Sequence, residues 1–112
     1  MEYNKEIKKD CYAVRISANE NGEEMGRAFL YVIFNDLHKE PYGLLEDVFV
    51  SDKCRGRGVG SELLKMIIDE AKERGCYKLV ADSRYSRPEI HAWYLASGFT
   101  DYGKEFRMEF NV

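Results

Sequence analysis

Residues Leu44 to Ser61, LLEDVFVSDKCRGRGVGS, join an apolar, β-branched run to an amphipathic helix through a glycine-studded loop. The run ends at Val48-Phe49-Val50, a polar turn Ser51-Asp52-Lys53 follows, and Arg55-Gly56-Arg57-Gly58-Val59-Gly60 opens into the helix. The first turn of a helix has unpaired N–H groups and a partial positive charge, and glycine lets anionic oxygens reach them. Arg55 and Arg57 add cationic, fork-shaped donors. Strand, loop and helix start together make an anion cradle, and the most economical ligand is a pyrophosphate. A P-loop is excluded because no Lys-Ser or Lys-Thr pair follows the glycines. The dinucleotide fingerprint fails too, since counting from Gly56 and Gly58 its last position is Ser61.

A chain of 112 residues fits one domain, 1–112, with a single core. Its apolar share of 45% and charged share of 33% are those of a soluble globular protein. The net charge of −3, with no basic face beyond the arginine loop, argues against nucleic acid as a partner. Cys11, Cys54 and Cys76 are odd in number and form no Cys-x-x-Cys pair, so free thiols in a reducing cytoplasm are expected and a metal site is not. No stretch approaches the ~20 apolar residues of a membrane span, and the polar start MEYNKEIKKD is no signal peptide.

Alternation predicts a first strand over Cys11 to Ala18, and Asn21-Gly22 marks the hairpin turn within Asn19 to Glu24. Gly26 to Phe34 and Leu44 to Val50 are expected as the second and third strands, the third central because it is apolar on both faces. Between them lies a loop, Asn35 to Gly43, broken by Pro41. From Gly58 to Arg74, Val59, Leu63, Ile67 and Ala71 form one helical stripe, ended by Gly75. A fourth strand, Tyr77 to Ala81, is reached by a helical crossover and is expected parallel to the third. Ser86 and Glu89 read as a capping box for a helix that carries Ile90, Trp93 and Tyr94 and stops at Gly98. Two last strands, Phe99 to Tyr102 and Glu105 to Phe110, turn at Gly103. The expected fold is a mixed α/β (α+β) arrangement in the order β-β-β-α-β-α-β-β.

Arg55, Gly58 and Gly60 also fit Arg-x-x-Gly-x-Gly, and the stretch His91-Ala92-Trp93-Tyr94-Leu95-Ala96-Ser97-Gly98-Phe99 fits aromatic-Tyr-x-x-x-Gly-Phe. In both, the chain resembles the GNAT superfamily of acetyl-CoA-dependent N-acetyltransferases. The resemblance implies acetyl-CoA as co-substrate, its diphosphate held at Arg55, Gly56, Arg57, Gly58, Val59, Gly60 and Ser61. It implies that two central strands splay apart, leaving the N–H of Val48 for the thioester oxygen. Val50, with Phe49 between, would then pair with the pantetheine arm. Tyr94 matches the family tyrosine directed at the coenzyme sulfur. A thiolate of pKa near 8.5 leaves faster when a phenol donates to it.

The attacking amine must lose a proton, because an ammonium of pKa around 10.4 is no nucleophile. Glu46 is the leading base, with Asp47, Asp82 and His91 as rivals. Glu46-Asp47 and the run Gly75 to Asp82 look like the glucosamine-phosphate branch, whose corresponding strand ends in a functional aspartate that Asp82 matches. The stretch Arg87 to Gly98 is similar to members that acetylate aminoalkylphosphonates, aminoglycosides or other small amines. Arg84 and Arg87 are candidates to face an acidic acceptor or a coenzyme phosphate.

Ten residues, six of them charged, precede the first strand, where the family usually has a strand and two helices walling the acceptor pocket. A homodimer that completes the wall, an open site for a bulky protein amine, and a module that binds acyl-CoA without turnover all follow as possibilities. The loop Asn35 to Gly43, with Glu40 and Tyr42, is then the expected acceptor contact. An enzyme acting on a small amine or amino sugar is expected ahead of one acting on protein, and ahead of a non-catalytic binding module.

Overall fold

A computed structural model describes residues 1–111. The chain divides into two compact units, Met1–Ala81 and a second that begins at Asp82. The first holds a four-stranded sheet in the order β1-β2-β3-β4, with β1 Tyr12–Glu20, β2 Glu23–Ile33, β3 Tyr42–Val50 and β4 Leu79–Ala81. β2 is antiparallel to both its neighbours, β1 and β3, while β3 and β4 run parallel through Gly43–Leu79, Leu44–Val80 and Leu45–Ala81. The expected central, parallel placing of the third strand is therefore borne out.

The β1–β2 turn is Asn21-Gly22 with both residues at positive φ, 52° and 79°, as a two-residue primed turn requires. α1, Val59–Glu73, buries Leu63, Leu64, Ile67 and Ala71. These meet the buried side of the sheet, Ala28, Leu30 and Val32 of β2 and Leu45 of β3. Each large side chain so buried contributes roughly 1.5–3 kcal/mol of transfer free energy. No polar side chain is buried in this core among the described residues. α1 stops at Gly75 (φ 78°), whose N–H donates to the Lys72 carbonyl while that of Cys76 donates to Ala71. That is the Schellman pattern, satisfying carbonyls the helix leaves orphaned.

The second unit contains α2, Pro88–Ala96. The capping box expected of Ser86 and Glu89 does not form. Pro88 takes the first helical position, so the N-cap falls on Arg87, held out of the helical region as a residue before proline is (φ −120°, ψ 62°). Glu89 then pairs with the Arg87 guanidinium instead. α2 ends as α1 does, with Gly98 at φ 105°, its N–H donating to the Leu95 carbonyl and that of Phe99 to the Tyr94 carbonyl.

The strands expected at Phe99 to Tyr102 and Glu105 to Phe110 are absent: residues 99–111 form no ladder with any described strand. The backbone still holds Arg107 between Glu105 and Glu109, bonded to both at 2.7 and 3.5 Å. Phe106, Met108 and Phe110 alternate with that charged row and are at least three-quarters exposed. The alternation marks an extended chain, but a strand exists only where a partner strand takes its hydrogen bonds.

Candidate active site

The strand that carries the site is irregular where the chemistry needs it. Arg27 pairs with Phe49 and Phe29 with Glu46, so Asp47 and Val48 together oppose the single residue Ala28. This is a β-bulge, and Asp47 sits in it at φ 53°, a conformation costing a non-glycine residue of order 1 kcal/mol. The Arg27 guanidinium holds it there, its Nε 2.8 Å from Asp47 Oδ2. On the other side of β3, pairing with β4 ends at Leu45 and Ala81. From Glu46 to Val50 the strand therefore has no described neighbour on its β4 side, and the bulge turns the Val48 backbone out of register. Val48, Phe49 and Val50, the residues expected at a splay, lie in this stretch.

β3 runs straight into the glycine loop. Ser51 caps a single 3₁₀ turn, Asp52–Cys54, its Oγ accepting from the Lys53 N–H, and its own N–H donates to the Met25 carbonyl at 2.7 Å. Cys54 is buried under the loop, and the Arg57 N–H returns to its carbonyl. Gly56 and Gly58 stand at φ 82° and 78°, so the chain reverses there without strain. Gly58 is the N-cap of α1 and has no side chain to offer. As a result the N–H groups of Gly56, Gly58, Val59, Gly60 and Ser61 find no backbone acceptor among the described residues. A Cβ on Gly60 would come 3.4 Å from Val50 Cγ2, so the missing side chain lets the helix start close against the strand. The cradle exists as an array of unpaired donors at the end of a fifteen-residue helix.

Its cations are less available than their number suggests. Arg57 bonds Glu20 at 2.8 Å, Lys53 bonds Glu23 at 2.9 Å, and Arg55 pairs with Asp52 at 3.0 Å. The Arg57 hydrogen bond and charge hold the Glu20 carboxyl below its ordinary value, and Glu20 in turn raises Arg57. The hairpin tip of β1–β2 is thus tied to the loop by two ion pairs. Glu20 and Glu23 flank the Asn21-Gly22 turn, a local signal, but nothing local says that a turn more than thirty residues upstream reaches the loop.

Glu46 is exposed, forms no ion pair among the described residues, and faces the side of the sheet opposite α1, across from Phe29. Asp47 next to it is already committed to Arg27. Of these two carboxylates, Glu46 is the one free to accept a proton. Asp82 and Tyr94 belong to the second unit, where Asp82 is exposed. Tyr94 is half-buried, stacked on Trp93 at 5.4 Å and tilted against Phe99 at 5.2 Å. The spacing Tyr94-x-x-x-Gly98-Phe99 is that of a helix stop, in which the residue after the glycine touches the residue four before it. His91 is held by the Arg84 carbonyl, 2.7 Å from its Nε2, an arrangement that caps local backbone.

Tyr42, which the sequence offered as an acceptor contact, begins β3, six residues from Val48. It packs with Tyr77 and lies under the Lys78 ammonium, 5.1 Å away. Burial pushes the Cys76 thiol up, and the three cysteines are unpaired. Among the described residues no cluster of His, Cys, Asp and Glu is gathered as a metal would need, and no helix is long and apolar enough to cross a membrane.

The chain is similar to known proteins in sequence and in fold. The chain is 38% identical over 68 residues to a probable glucosamine 6-phosphate N-acetyltransferase 2 from Oryza sativa subsp. japonica, covering 61% of this chain and 39% of that protein. It is 29% identical over 79 residues to an aminoalkylphosphonate N-acetyltransferase from Salmonella typhimurium, covering 70% of this chain and 51% of that one. The chain thus spans about two fifths to one half of these relatives' length. A solved putative acetyltransferase from Agrobacterium tumefaciens superposes with a TM-score of 0.79 at 28% identity, covering 87% of this chain and 68% of the other. The model of the acetyltransferase (GNAT) family matches residues 1–99, and the chain belongs to that family.

Proposed function

We propose that the chain is an N-acetyltransferase that moves an acetyl group from acetyl-CoA to a primary amine by direct attack, with a small amine or amino sugar favoured over a protein amine. The observation that carries this reading is the continuity of β3: a bulge, and a stretch from Glu46 to Val50 with no described neighbour on its β4 side, lead within ten residues to a helix start whose five N–H groups have no backbone acceptor among the described residues. Those two features fit the two ends of one ligand. The N–H groups of Gly56, Gly58, Val59, Gly60 and Ser61 suit a diphosphate, with Arg55 and Arg57 at its margin. The open edge of Val48 to Val50 suits an amide-bearing arm that adds like a strand. The thioester supplies an activated acyl carbon.

In the transfer a nitrogen–carbon bond forms, the carbon–sulfur bond breaks, and the sulfur leaves with the electron pair. Three groups of the chain act on it. The Val48 N–H stabilises charge on the carbonyl oxygen. Glu46 accepts the ammonium proton, directly or through water, and Asp82 is the alternative base. Tyr94, by its match to the family motif, returns a proton to the departing sulfur. A homodimer belongs to the same reading, a second copy completing the acceptor side, as does a cytoplasmic location.

A thiol-release assay with acetyl-CoA and an amine panel tests it. Tyr94→Phe is expected to lower turnover by ~10²-fold while coenzyme affinity stays put. Coenzyme binding with no thiol released from any amine or protein would leave a non-catalytic acyl-CoA-binding module.

A further inference from the structure

The side of the sheet opposite α1 carries a groove of about 640 Å³, within the range of small-molecule sites. Its floor is a column across three strands: Ala13 lies opposite Tyr31, and Tyr31 opposite Leu44. Ile33 continues the floor along β2, and Glu46 and Asp47 close the groove along β3. The residues that build it are thus almost all uncharged. No lysine, arginine or histidine is among its lining residues; of the arginines beside it, Arg27 is paired with Asp47, and Arg15 is paired with Glu24 and lies over the Phe29 ring.

The two carboxylates are unequal. Asp47 is neutralised by Arg27, leaving Glu46 as the uncompensated charge of the groove. Glu46 is two residues from Val48, with only the bulge residue Asp47 between them. A primary ammonium drawn to Glu46 would therefore arrive beside the bulge, with the rest of its molecule lying on Tyr31, Leu44 and Ile33. The opposite orientation is disfavoured, because a phosphate on that floor would meet apolar side chains and a carboxylate, and the lining itself offers it no cation.

We infer that this groove is the acceptor site and that it takes a primary amine whose remainder is uncharged and apolar, in preference to a phosphorylated amine. The inference rests on the N-acetyltransferase reading and narrows it. The carboxylate that attracts the ammonium is the one that removes its proton, so attraction and activation fall to one side chain.

The test compares phenethylamine with glucosamine 6-phosphate as acceptors in the thiol-release assay. The ratio of kcat/KM is expected to favour phenethylamine by at least ~10-fold, since like-charge contact with Glu46 and an unmatched phosphate both weaken binding of the phosphorylated amine. Ile33→Lys places a cation on the floor and is expected to shift that ratio by ~10-fold towards the phosphorylated amine. A ratio favouring glucosamine 6-phosphate in the unmodified chain, or unmoved by Ile33→Lys, overturns the assignment while the acetyltransferase reading stands. Should Ile33→Lys not fold, Tyr31→Ala at an exposed position replaces it, raising KM for phenethylamine several-fold at unchanged kcat; an unchanged KM overturns the assignment equally. If no amine releases thiol, the acetyltransferase reading falls by itself. Phenethylamine titrated against the amide NMR shifts of Ala13, Tyr31 and Leu44 then decides the groove, movement there keeping it as an amine site and none removing it.

Discussion

Gly26 has no room for a side chain. A Cβ there would meet the Phe49 carbonyl oxygen at 2.9 Å and the Leu63 and Val59 methyls at 3.0 and 3.1 Å. The first of these is backbone of β3, which cannot yield without moving the strand, and the other two belong to the first turns of α1. Gly26→Ala is expected to destabilise the fold by about 1–3 kcal/mol, read from the urea midpoint at constant slope. It should also weaken coenzyme binding more than the equally buried but remote Ala71→Gly. At Tyr94 the residue-scale question is what the ring's neighbours do. Phe99 caps α2 and contacts the Tyr94 ring at 5.2 Å, so Phe99→Ala is expected to cost roughly 1 kcal/mol of stability and to lower kcat without changing KM for acetyl-CoA. A KM effect instead would mean that Phe99 touches the ligand.

Among the elements, the β1–β2 hairpin does more than supply an edge to the sheet. Its tip spends two carboxylates, Glu20 and Glu23, on cations of the glycine loop. Glu20→Gln frees the Arg57 guanidinium, so coenzyme affinity is expected to rise a few-fold and to fall more steeply with salt, by calorimetry at two ionic strengths. The sign with pH follows from the lowered Glu20 value. The tie is intact above the ordinary carboxyl value of 4.5 and is lost as pH falls through the lower folded one. The loop should therefore loosen only in acid, below about pH 4.5, and the Glu20→Gln variant should lose that dependence, seen as amide exchange at Gly56 and Gly58.

The same contrast explains what the sequence made legible. The Asn21-Gly22 turn, the Gly75 stop and the parallel β3–β4 pair each follow from residues within one element or one crossover, and all three form as expected. The loop glycines were legible because helix starts expose donors wherever they occur. The bulge at Asp47, the ties of Glu20 and Glu23 and the Arg27–Asp47 pair depend on register between strands, which alternation does not set. The capping box failed because Pro88 outranks Ser86 in deciding where a helix begins.

For the molecule as a whole, the exposed row of Phe106, Met108 and Phe110 is the feature that a lone chain leaves unexplained. These side chains alternate with Glu105, Arg107 and Glu109, which satisfy one another, so the segment presents one charged face and one apolar face in an extended backbone. Its ladder groups are also unpaired among the described strands, and an unpaired extended segment is a template for another chain. In a symmetric pair six such side chains would contribute roughly 10 kcal/mol, the same order as the cost of association, so the expected dimer is weak and concentration-dependent. Sedimentation velocity from micromolar to hundreds of micromolar protein should show the shift towards dimer. Replacing Phe106, Met108 and Phe110 together by serine should abolish it, while denaturant unfolding of the sheet and α1, whose core these residues do not enter, stays within ~0.5 kcal/mol. A monomer at every concentration would leave the apolar row without a second copy to cover it, and the acceptor side would then have to be complete within one chain.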